Sequence, residues 1–300
     1  MKPNTSSHHG LIELHIAVLL FGGTALFSKL IPLSALDITV LRCAVAALIL
    51  ALIVKSSGCR LRLNAHKDYL IALGLGVIVS LHWVTYFASM QLSSVAIGMI
   101  AFFTYPVMTV LVEPLFNASR LKRADLLSGI SVLCGVSLLI PEATLGNDVT
   151  LGIILGILSA MLFTARNILH KRYFAEYSGA QAMLYQTAVA VVFLMPWHQV
   201  NISTINQSVW GLIILLGVVF TAAPHALFTS ALRQLSAKTV SLVSCLQPLY
   251  GALLALWLLG EELALNTIIG GALVVITAIY ETQQSHKSQR AKKQSNMTSA

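Results

Sequence analysis

Two histidines, His82 and His225, lie inside apolar stretches of the chain, where an ionisable side chain is costly and therefore a candidate for function. Histidine titrates near neutral pH, so either ring could take up and release a proton. The alternative for each is a neutral ring hydrogen-bonded to a neighbouring helix. Shifting the sequence until His82 falls on His225 also places Gln91-Leu92-Ser93 on Gln234-Leu235-Ser236. This repetition indicates that the chain is a duplication.

One arginine, Arg42, lies about two helical turns inside the second apolar segment, roughly 10 Å from its start at a rise of 1.5 Å per residue. Its guanidinium could be a fixed cation for a carboxylate or phosphate group of a substrate. It could equally pair with Asp37 or extend to the outer surface, as long basic side chains do near an interface. For Lys29 and Arg166, which lie near helix ends, we expect extension to the interface.

Two prolines, Pro106 and Pro248, stand near matched positions of the two copies. Proline kinks a membrane helix, and a kink beside a cavity frees carbonyl groups for a ligand. The aromatic and amide side chains nearby offer faces to a planar or apolar ligand, unless they face lipid or the membrane interface. The candidate substrate-binding residues are therefore Arg42, His82, Trp83, Tyr86, Phe103, Tyr105, His225, Phe228, Gln247 and Tyr250.

The composition of the chain is that of a membrane protein. Hydrophobic residues make up 57% and charged residues 10% of the 300 residues, and the mean hydropathy is +0.81. One soluble core could not bury this much apolar surface, so the sequence predicts an all-α integral membrane protein. The net charge is +8. In a membrane protein the placement of the charges is more informative than the net charge, so we expect no binding to nucleic acid. The four cysteines show neither a metal-binding spacing nor a disulfide framework, and we expect no cofactor or metal.

Ten segments are long enough to cross a bilayer, which takes about 20 apolar residues in a helix. These predicted spans are 11–31, 35–55, 68–89, 93–117, 124–140, 149–171, 179–198, 207–231, 237–258 and 264–281. Lysine and arginine are concentrated in every second connection, which the positive-inside rule assigns to the cytoplasm together with both termini. The remaining connections, predicted to lie outside, are those near Ser34, Gln91, Asn147, Asn201 and Glu261.

The duplication and the spans together define the organisation of the chain. We predict a cytoplasmic N-terminus (1–10), a first repeat of five helices (11–141), a second repeat of five helices (149–281) and a basic, disordered cytoplasmic tail (282–300). Because five is odd, the second repeat enters the membrane from the opposite side, which gives an inverted pair. Inverted repeats share a site near the middle of the bilayer and open it alternately to either side. This is the geometry of a transporter.

The arrangement resembles the EamA family of the drug/metabolite transporter superfamily. The matching features are Phe21-Gly22, Lys29, Arg42, Pro106, Pro248, Leu259-Gly260-Glu261 and Gly270-Gly271. The sequence departs from the family in the first half, where Ser119-Arg120 replaces the expected Gly-Glu pair. The resemblance implies a central cavity lined by helices of both halves, with the fifth and tenth helices at the periphery. It also implies transport of amino acids, nucleotide-related metabolites, vitamins such as riboflavin, or drugs across the inner membrane.

We therefore expect a secondary transporter that moves a small organic metabolite by alternating access, driven by protons or by the substrate gradient. A drug or metabolite efflux pump of broad specificity is the alternative within this class. An intramembrane enzyme using His82 or His225 is a third hypothesis, but the sequence contains no catalytic motif such as HExxH, GxSxG or a Walker loop. The expected partners are the substrate, protons and the lipid bilayer, and a homodimer is left open.

Overall fold

The structure is a computed structural model that describes residues 5–58, 61–117, 123–138, 147–235, 240 and 243–298. Within these ranges the chain is helical and contains no strand. A π-helical turn lies at Val218–Ala222, and short 3-10 helices lie at Met195–Trp197 and Ile202–Thr204. The helices are α1 (Thr5–Thr24), α2 (Phe27–Leu30), α3 (Ala35–Ser56), α4 (His66–Leu92), α5 (Val95–Phe102), α6 (Tyr105–Asn117), α7 (Arg123–Ser137), α8 (Asp148–Tyr173), α9 (Gly179–Leu194), α10 (Gln207–Gly217), α11 (Ala223–Gln234), α12 (Gln247–Leu259) and α13 (Leu265–Thr298).

Helical residues lie in each of the ten predicted spans, with ends that differ by a few residues. Among the described residues, seven helical segments are long and apolar enough to cross a membrane: His9–Leu30, Ala35–Ser56, His66–Leu92, Val95–Val112, Asp148–Tyr173, Gly179–Trp197 and Gln207–His225. Two shorter apolar helices, Gln247–Leu259 and Leu265–Glu281, follow them. That ten helices cross the bilayer, with both termini in the cytoplasm, stays a prediction.

Several helices begin where a short polar side chain accepts a hydrogen bond from the backbone. Ser34 Oγ accepts from the N–H of Asp37 at 3.1 Å, and Asn147 Oδ1 accepts from the N–H of Thr150 at 2.7 Å. Such caps satisfy donors in the first turn of a helix that have no partner within it. Equivalent caps on α5, α9 and α10 come from Ser94, Ser178 and Asn206.

Two of the predicted spans are interrupted by a turn that precedes a proline. α5 ends at Phe102, and α6 begins at Tyr105 with Pro106 as its second residue. Likewise, a turn at 245–246 precedes α12, in which Pro248 is the second residue. Proline fits the first turn of a helix because its missing N–H would have no intrahelical partner there. We expected kinks at these matched positions, and the structure has breaks.

α8 packs closely against the end of α4 and against α5. A Cβ added to Gly152 would lie 2.8 Å from the backbone oxygen of Ser89, and one added to Gly156 would lie 2.7 Å from Ala101 Cβ. Small residues let membrane helices approach closely in this way. The two glycines therefore serve the contact between the two halves of the chain.

α7 and α13 pack against each other and against α6. Across this contact, Ser131 Oγ lies 3.0 Å from Thr277 Oγ1. A Cβ added to Gly135 would lie 2.9 Å from the backbone oxygen of Gly270. These are the fifth and tenth predicted spans, and they pack against one another.

The C-terminal segment differs from the sequence prediction. We expected a disordered tail from residue 282, but α13 continues without interruption to Thr298. The segment contains neither proline nor glycine, and its many glutamine and lysine residues have favourable helix propensities, so nothing local ends the helix. Two other features named above, the end of the first repeat at residue 141 and the Ser119-Arg120 pair, lie outside the described residues.

Candidate functional site

A cavity of about 620 Å³ lies inside the bundle, a volume within the range of small-molecule sites. Of the ten candidate substrate-binding residues, eight line it: Arg42, His82, Trp83, Tyr86, Tyr105, His225, Phe228 and Gln247. The lining residues that we did not include among the candidates are Phe21, Thr24, Phe102, Phe163, Arg166, Asn167, His170, Lys171, Gly179, Ala182, Met183, Phe220 and Ser244.

Phe103 and Tyr250, the other two candidates, are not among the residues that line this cavity. The Phe103 ring is fully buried in the core, with its centroid 5.2 Å from that of Tyr105. It lies in the break between α5 and α6, where helical spacing no longer determines which way a side chain points. Tyr250 Oη lies 3.1 Å from His15 Nδ1 and connects α12 to α1. Both residues thus belong to the packing around the cavity.

Arg42 is a buried cation in the lining, with an exposed fraction of 2%. Its guanidinium carbon lies 4.4 Å from the ring centroid of Trp83 and 4.9 Å from that of Phe87, which are cation–π distances. Nη1 donates to Thr221 Oγ1 at 3.3 Å, whereas Nε and Nη2 are buried without a hydrogen-bond partner. An unpaired buried donor costs about 1–3 kcal/mol, and more when it is charged. The guanidinium therefore has unused capacity to bind an anion.

The nearest acidic residue in the sequence, Asp37, is bonded to other groups. Its Oδ1 lies 2.7 Å from His198 Nδ1, and its Oδ2 accepts from Ser34 Oγ at 2.6 Å. The N–H of Gln199 also donates to Asp37, at 3.2 Å. The Arg42–Asp37 pair that we considered from the sequence is therefore absent from the structure, because Asp37 bonds to the segment that follows α9.

Thr221, the partner of Arg42, lies in the π-helical turn Val218–Ala222. Thr24 Oγ1 donates to the backbone oxygen of Phe220 in the same turn, at 2.9 Å. A π-turn interrupts the regular bonding of an α-helix and frequently occurs at functional sites. Through this turn, the second half of the chain bonds to Thr24 on α1 and to Arg42 on α3, which both belong to the first half.

His82 is buried and bonds to Ser159 on α8, across the contact between the two halves. Nδ1 lies 2.8 Å from Ser159 Oγ and 3.2 Å from the backbone oxygen of Ser159. In return, Ser159 Oγ donates to the backbone oxygen of His82 at 3.1 Å. Because the hydroxyl proton is directed at that carbonyl, the hydroxyl accepts from Nδ1–H. The pair of bonds holds α4 to α8.

His225 makes its bond within its own helical segment. Nδ1 lies 2.6 Å from the backbone oxygen of Thr221, and a carbonyl oxygen only accepts, so Nδ1 carries the hydrogen. The ring packs edge-on against Phe21 on α1, with centroids 4.9 Å apart. The side chain is half-buried and lines the cavity.

Three rings, those of Phe102, Tyr105 and Phe163, form a cluster in the lining that we call the aromatic wall. Their centroids lie between 4.9 and 5.3 Å apart. The His82 ring joins the cluster, 5.3 Å from Phe102 and 5.0 Å from Phe163. Packed rings of this kind offer a large apolar surface to a flat ligand.

Arg166 lies inside the bundle, whereas we expected it to extend to the membrane interface. Nε donates to Gln186 Oε1 at 2.7 Å, and Nη1 donates to Asn167 Oδ1 at 3.0 Å. Gln186 is fully buried on α9 and draws the guanidinium toward that helix. The distance of Arg166 from the helix end gave no sign of this partner.

Apart from two tyrosines, the ionisable side chains of the described lining are all bases. Among the described lining residues there is no aspartate or glutamate. A cleft lined by one sign of charge raises the local concentration of ligands of the opposite sign. The groups concerned are Arg42, Arg166, Lys171, His82, His170 and His225.

The cavity reaches one end of the bundle. Lys171 and Gly179, at the connection between α8 and α9, belong to its lining, and Lys171 is exposed. No residue of the described turn between α4 and α5, at the other end, belongs to it. In the predicted topology the α8–α9 connection is cytoplasmic and the α4–α5 turn is external.

The α4–α5 turn is held by charged groups from both halves of the chain. Lys29 Nζ donates to the backbone oxygens of Gln91 and Ser93, at 3.1 and 3.0 Å. The Glu261 carboxylate accepts from the N–H of Val95 at 2.9 Å. A cation at the C-terminus of α4 and an anion at the N-terminus of α5 both complement the helix dipoles. These contacts close the end of the bundle opposite Lys171.

The sequence profile of the EamA-like transporter family matches the chain twice, over residues 9–140 and 150–280. The chain belongs to the EamA-like transporter family. It is therefore a multi-pass membrane transporter, in agreement with the seven helical segments long enough to cross a membrane. The resemblance seen in the sequence is thus confirmed.

Individual relatives of this EamA-like transporter are also named as transporters. The chain is 26% identical over 243 residues to "Uncharacterized transporter YxxF" of Bacillus subtilis (strain 168), covering 79% of this chain and 78% of that protein. It is 25% identical over 302 aligned positions to "Uncharacterized inner membrane transporter YicL" of Salmonella typhimurium (strain LT2), covering 95% and 99%. A solved crystal structure shares the fold with a TM-score of 0.62 at 17% sequence identity, covering 94% of this chain and 98% of the other.

The two family matches both contribute to the cavity of this EamA-like transporter. The first supplies Arg42 and His82, and the second supplies Arg166, His225 and Gln247. The cavity therefore lies between the two matched segments, where a relative movement of the segments would change its shape.

Proposed function

We propose that this EamA-like transporter carries a small organic metabolite, such as an amino acid or a vitamin of the riboflavin type, across the inner membrane by alternating access. The observation that carries the proposal is the cavity, which is lined by both family matches, reaches one end of the bundle and is closed at the other by hydrogen bonds. Alternating access requires a site of this kind, reachable from one side at a time. The Salmonella relative is named as an inner membrane transporter, and we propose the same membrane here.

In the proposed orientation the described conformation faces the cytoplasm. The lining ends at Lys171, next to Arg172, and positive charge at a helix end favours the cytoplasmic side. Ten spans in two inverted repeats of five would exchange conformations to open the other side. The bonds from Lys29 to α4 and from Glu261 to α5 would then have to break.

Counterflow into proteoliposomes that contain the purified full-length chain tests the function. A carrier exchanges labelled internal and unlabelled external solute with saturation, a channel shows no saturable exchange, and an enzyme yields an altered product. Screening single amino acids, riboflavin and nucleosides gives the substrate. Similar exchange of many unrelated solutes would favour the broad-specificity efflux pump, and no saturable exchange of any solute would overturn the proposal.

Coupling to protons is part of the proposal and rests on His82 and His225, which both line the cavity. The double variant H82Q/H225Q keeps hydrogen-bonding side chains at both positions but removes both titratable rings. We expect its counterflow to lose the dependence on pH that wild type shows. A variant that transports with the pH profile of wild type would show that neither histidine couples protons to transport.

A further inference from the structure

The charged groups of the cavity indicate which class of substrate it takes, on the premise that the chain is the carrier proposed above. We propose that the substrate is a small organic anion with a planar ring, whose carboxylate or phosphate group binds at Arg42 while its ring packs on the aromatic wall. Four observations carry this step: the unpaired donors of Arg42, the series of cations along the cavity, the absence of acidic residues from the described lining, and the ring cluster.

Arg42 is the anchor for the anionic group. The guanidinium is buried, yet Nε and Nη2 have no hydrogen-bond partner, and the carboxylate of Asp37 accepts hydrogen bonds from Ser34 and from the N–H of Gln199 instead. Burying a charge without a counter-ion is costly, and a carboxylate or phosphate that accepts from two guanidinium nitrogens removes the cost. Trp83 covers the guanidinium at 4.4 Å and itself lines the cavity. The proposed site therefore includes a rotation of the Trp83 ring that admits the anion to the unpaired donors.

Two further cations lie between this anchor and the open end. Arg166 is about 10 Å along α8 from Ser159, which bonds to His82 beside Trp83, at a rise of 1.5 Å per residue. Lys171 is about 7.5 Å farther along the same helix, at the open end. An anion entering from that end thus meets positive charge at each stage, which speeds the association of anionic ligands and slows that of cations.

The absence of acidic groups from the described lining bears on the competing substrates. A zwitterionic amino acid has an ammonium group, and the described lining offers no carboxylate to pair with it. A neutral flavin ring suits the aromatic wall but leaves Nε and Nη2 of Arg42 unpaired. A ring carrying one carboxylate or phosphate group and no ammonium satisfies both parts of the site. Such an acid therefore fits the lining better than an amino acid or a neutral vitamin does.

Binding to the purified full-length chain in detergent tests the substrate class without requiring transport. The probes are 3-phenylpropanoate and phenyl phosphate, with the neutral 3-phenylpropanamide and the cationic 3-phenylpropylamine as ring-matched comparisons. Titrations followed by thermal stability give the Kd of each probe. We expect the two anions to raise the melting temperature and the amide and amine to leave it unchanged. In R42Q the Kd of 3-phenylpropanoate should rise about 30-fold, since truncating one partner of a buried charge pair costs 2 kcal/mol or more.

Variants separate loss of binding from loss of the fold. R172Q removes an exposed arginine at the end of α8 and should bind like wild type, and R42K, which keeps the charge, should retain part of the affinity. R42Q itself should melt at or above the temperature of wild type, because it removes an uncompensated buried charge. If R42Q does not fold, R166Q serves in its place, with an expected rise in Kd of about tenfold.

Three results would overturn the anionic assignment: equal binding of the amide or the amine, an unchanged Kd in R42Q, or no binding of either anion. The carrier proposal fails separately, in counterflow. Saturable transport of neutral solutes without anion binding would reject the substrate class alone, and anion binding that depends on Arg42 without any exchange would reject the carrier alone.

Discussion

His82 and His225 stand at matched positions of the two copies, and both line the cavity, yet they are bonded differently. His82 is 4% exposed and bonds to Ser159 on a helix of the other half, while His225 is half-buried and bonds to a carbonyl of its own helical segment. A bond between helices must break when the halves move apart, whereas a bond within one helix moves with it. The same residue type at matched positions can therefore bond two halves together in one copy and bond to its own helical segment in the other.

This difference assigns separate tasks to the two rings. His82 stabilises the described conformation, because its bond lies on the contact between α4 and α8. His225 is the better candidate for exchanging protons with the cavity, because it is the less buried of the two. The predictions that follow test this division, starting with the largest effect.

Replacing His82 with phenylalanine keeps a ring of similar size on the aromatic wall but removes the bond to Ser159. We expect the free energy of unfolding to fall by about 2 kcal/mol, since the buried Ser159 keeps its bond to the backbone oxygen of residue 82 but loses the Nδ1–H donor at a contact between helices. The matched change H225F removes the bond to the Thr221 carbonyl, which lies within one helical segment, and should cost less than H82F. Equilibrium unfolding in mixed detergent micelles, followed by circular dichroism, measures both. Equal losses in the two variants would mean that the difference in bonding has no energetic consequence.

Much of the fold follows from composition and the placement of charges, and the breaks in the helices mark the limit of that approach. Of the candidates chosen around the two prolines, Tyr105 and Gln247 line the cavity, whereas Phe103 and Tyr250 do not belong to its lining. The turns before Pro106 and Pro248 restart each helix with a new direction, which the sequence does not give. The sequence marked where the breaks lie but could not give the rotation across them.

The sequence also did not show which polar residues of distant segments lie next to each other. The distance of Arg166 from a helix end predicted a place at the interface, but Gln186 on the next helix draws it inward. Asp37 is close to Arg42 in sequence, but its Oδ1 lies 2.7 Å from Nδ1 of His198, far along the chain. The sequence contains all four residues, but which of them meet depends on how α3, α8 and α9 pack, and no local pattern encodes that packing.

The second prediction concerns the dependence of counterflow on pH. In the single variant H225Q the rate of counterflow should no longer depend on pH, while H82Q should keep the pH dependence of wild type at a reduced rate. Counterflow at matched internal and external pH measures it. The reverse pattern, with H82Q flat and H225Q dependent on pH, would assign proton coupling to the histidine that holds the helices together.

The smallest expected loss of stability is that of a variant of Ser159, the partner of His82. In S159A the hydroxyl is lost, but the backbone oxygen of Ser159 still lies 3.2 Å from Nδ1 and can accept its hydrogen. We therefore expect a loss of about 1 kcal/mol in the free energy of unfolding, smaller than that of H82F. The control is T187V on α9, because the buried Thr187 hydroxyl donates to the backbone oxygens of Met183 and Leu184 in its own helix. Its cost should stay below about 0.5 kcal/mol. If T187V cost as much as S159A, the bond between helices would be worth no more than one within a helix, and His82 would lose its proposed role in holding the two halves.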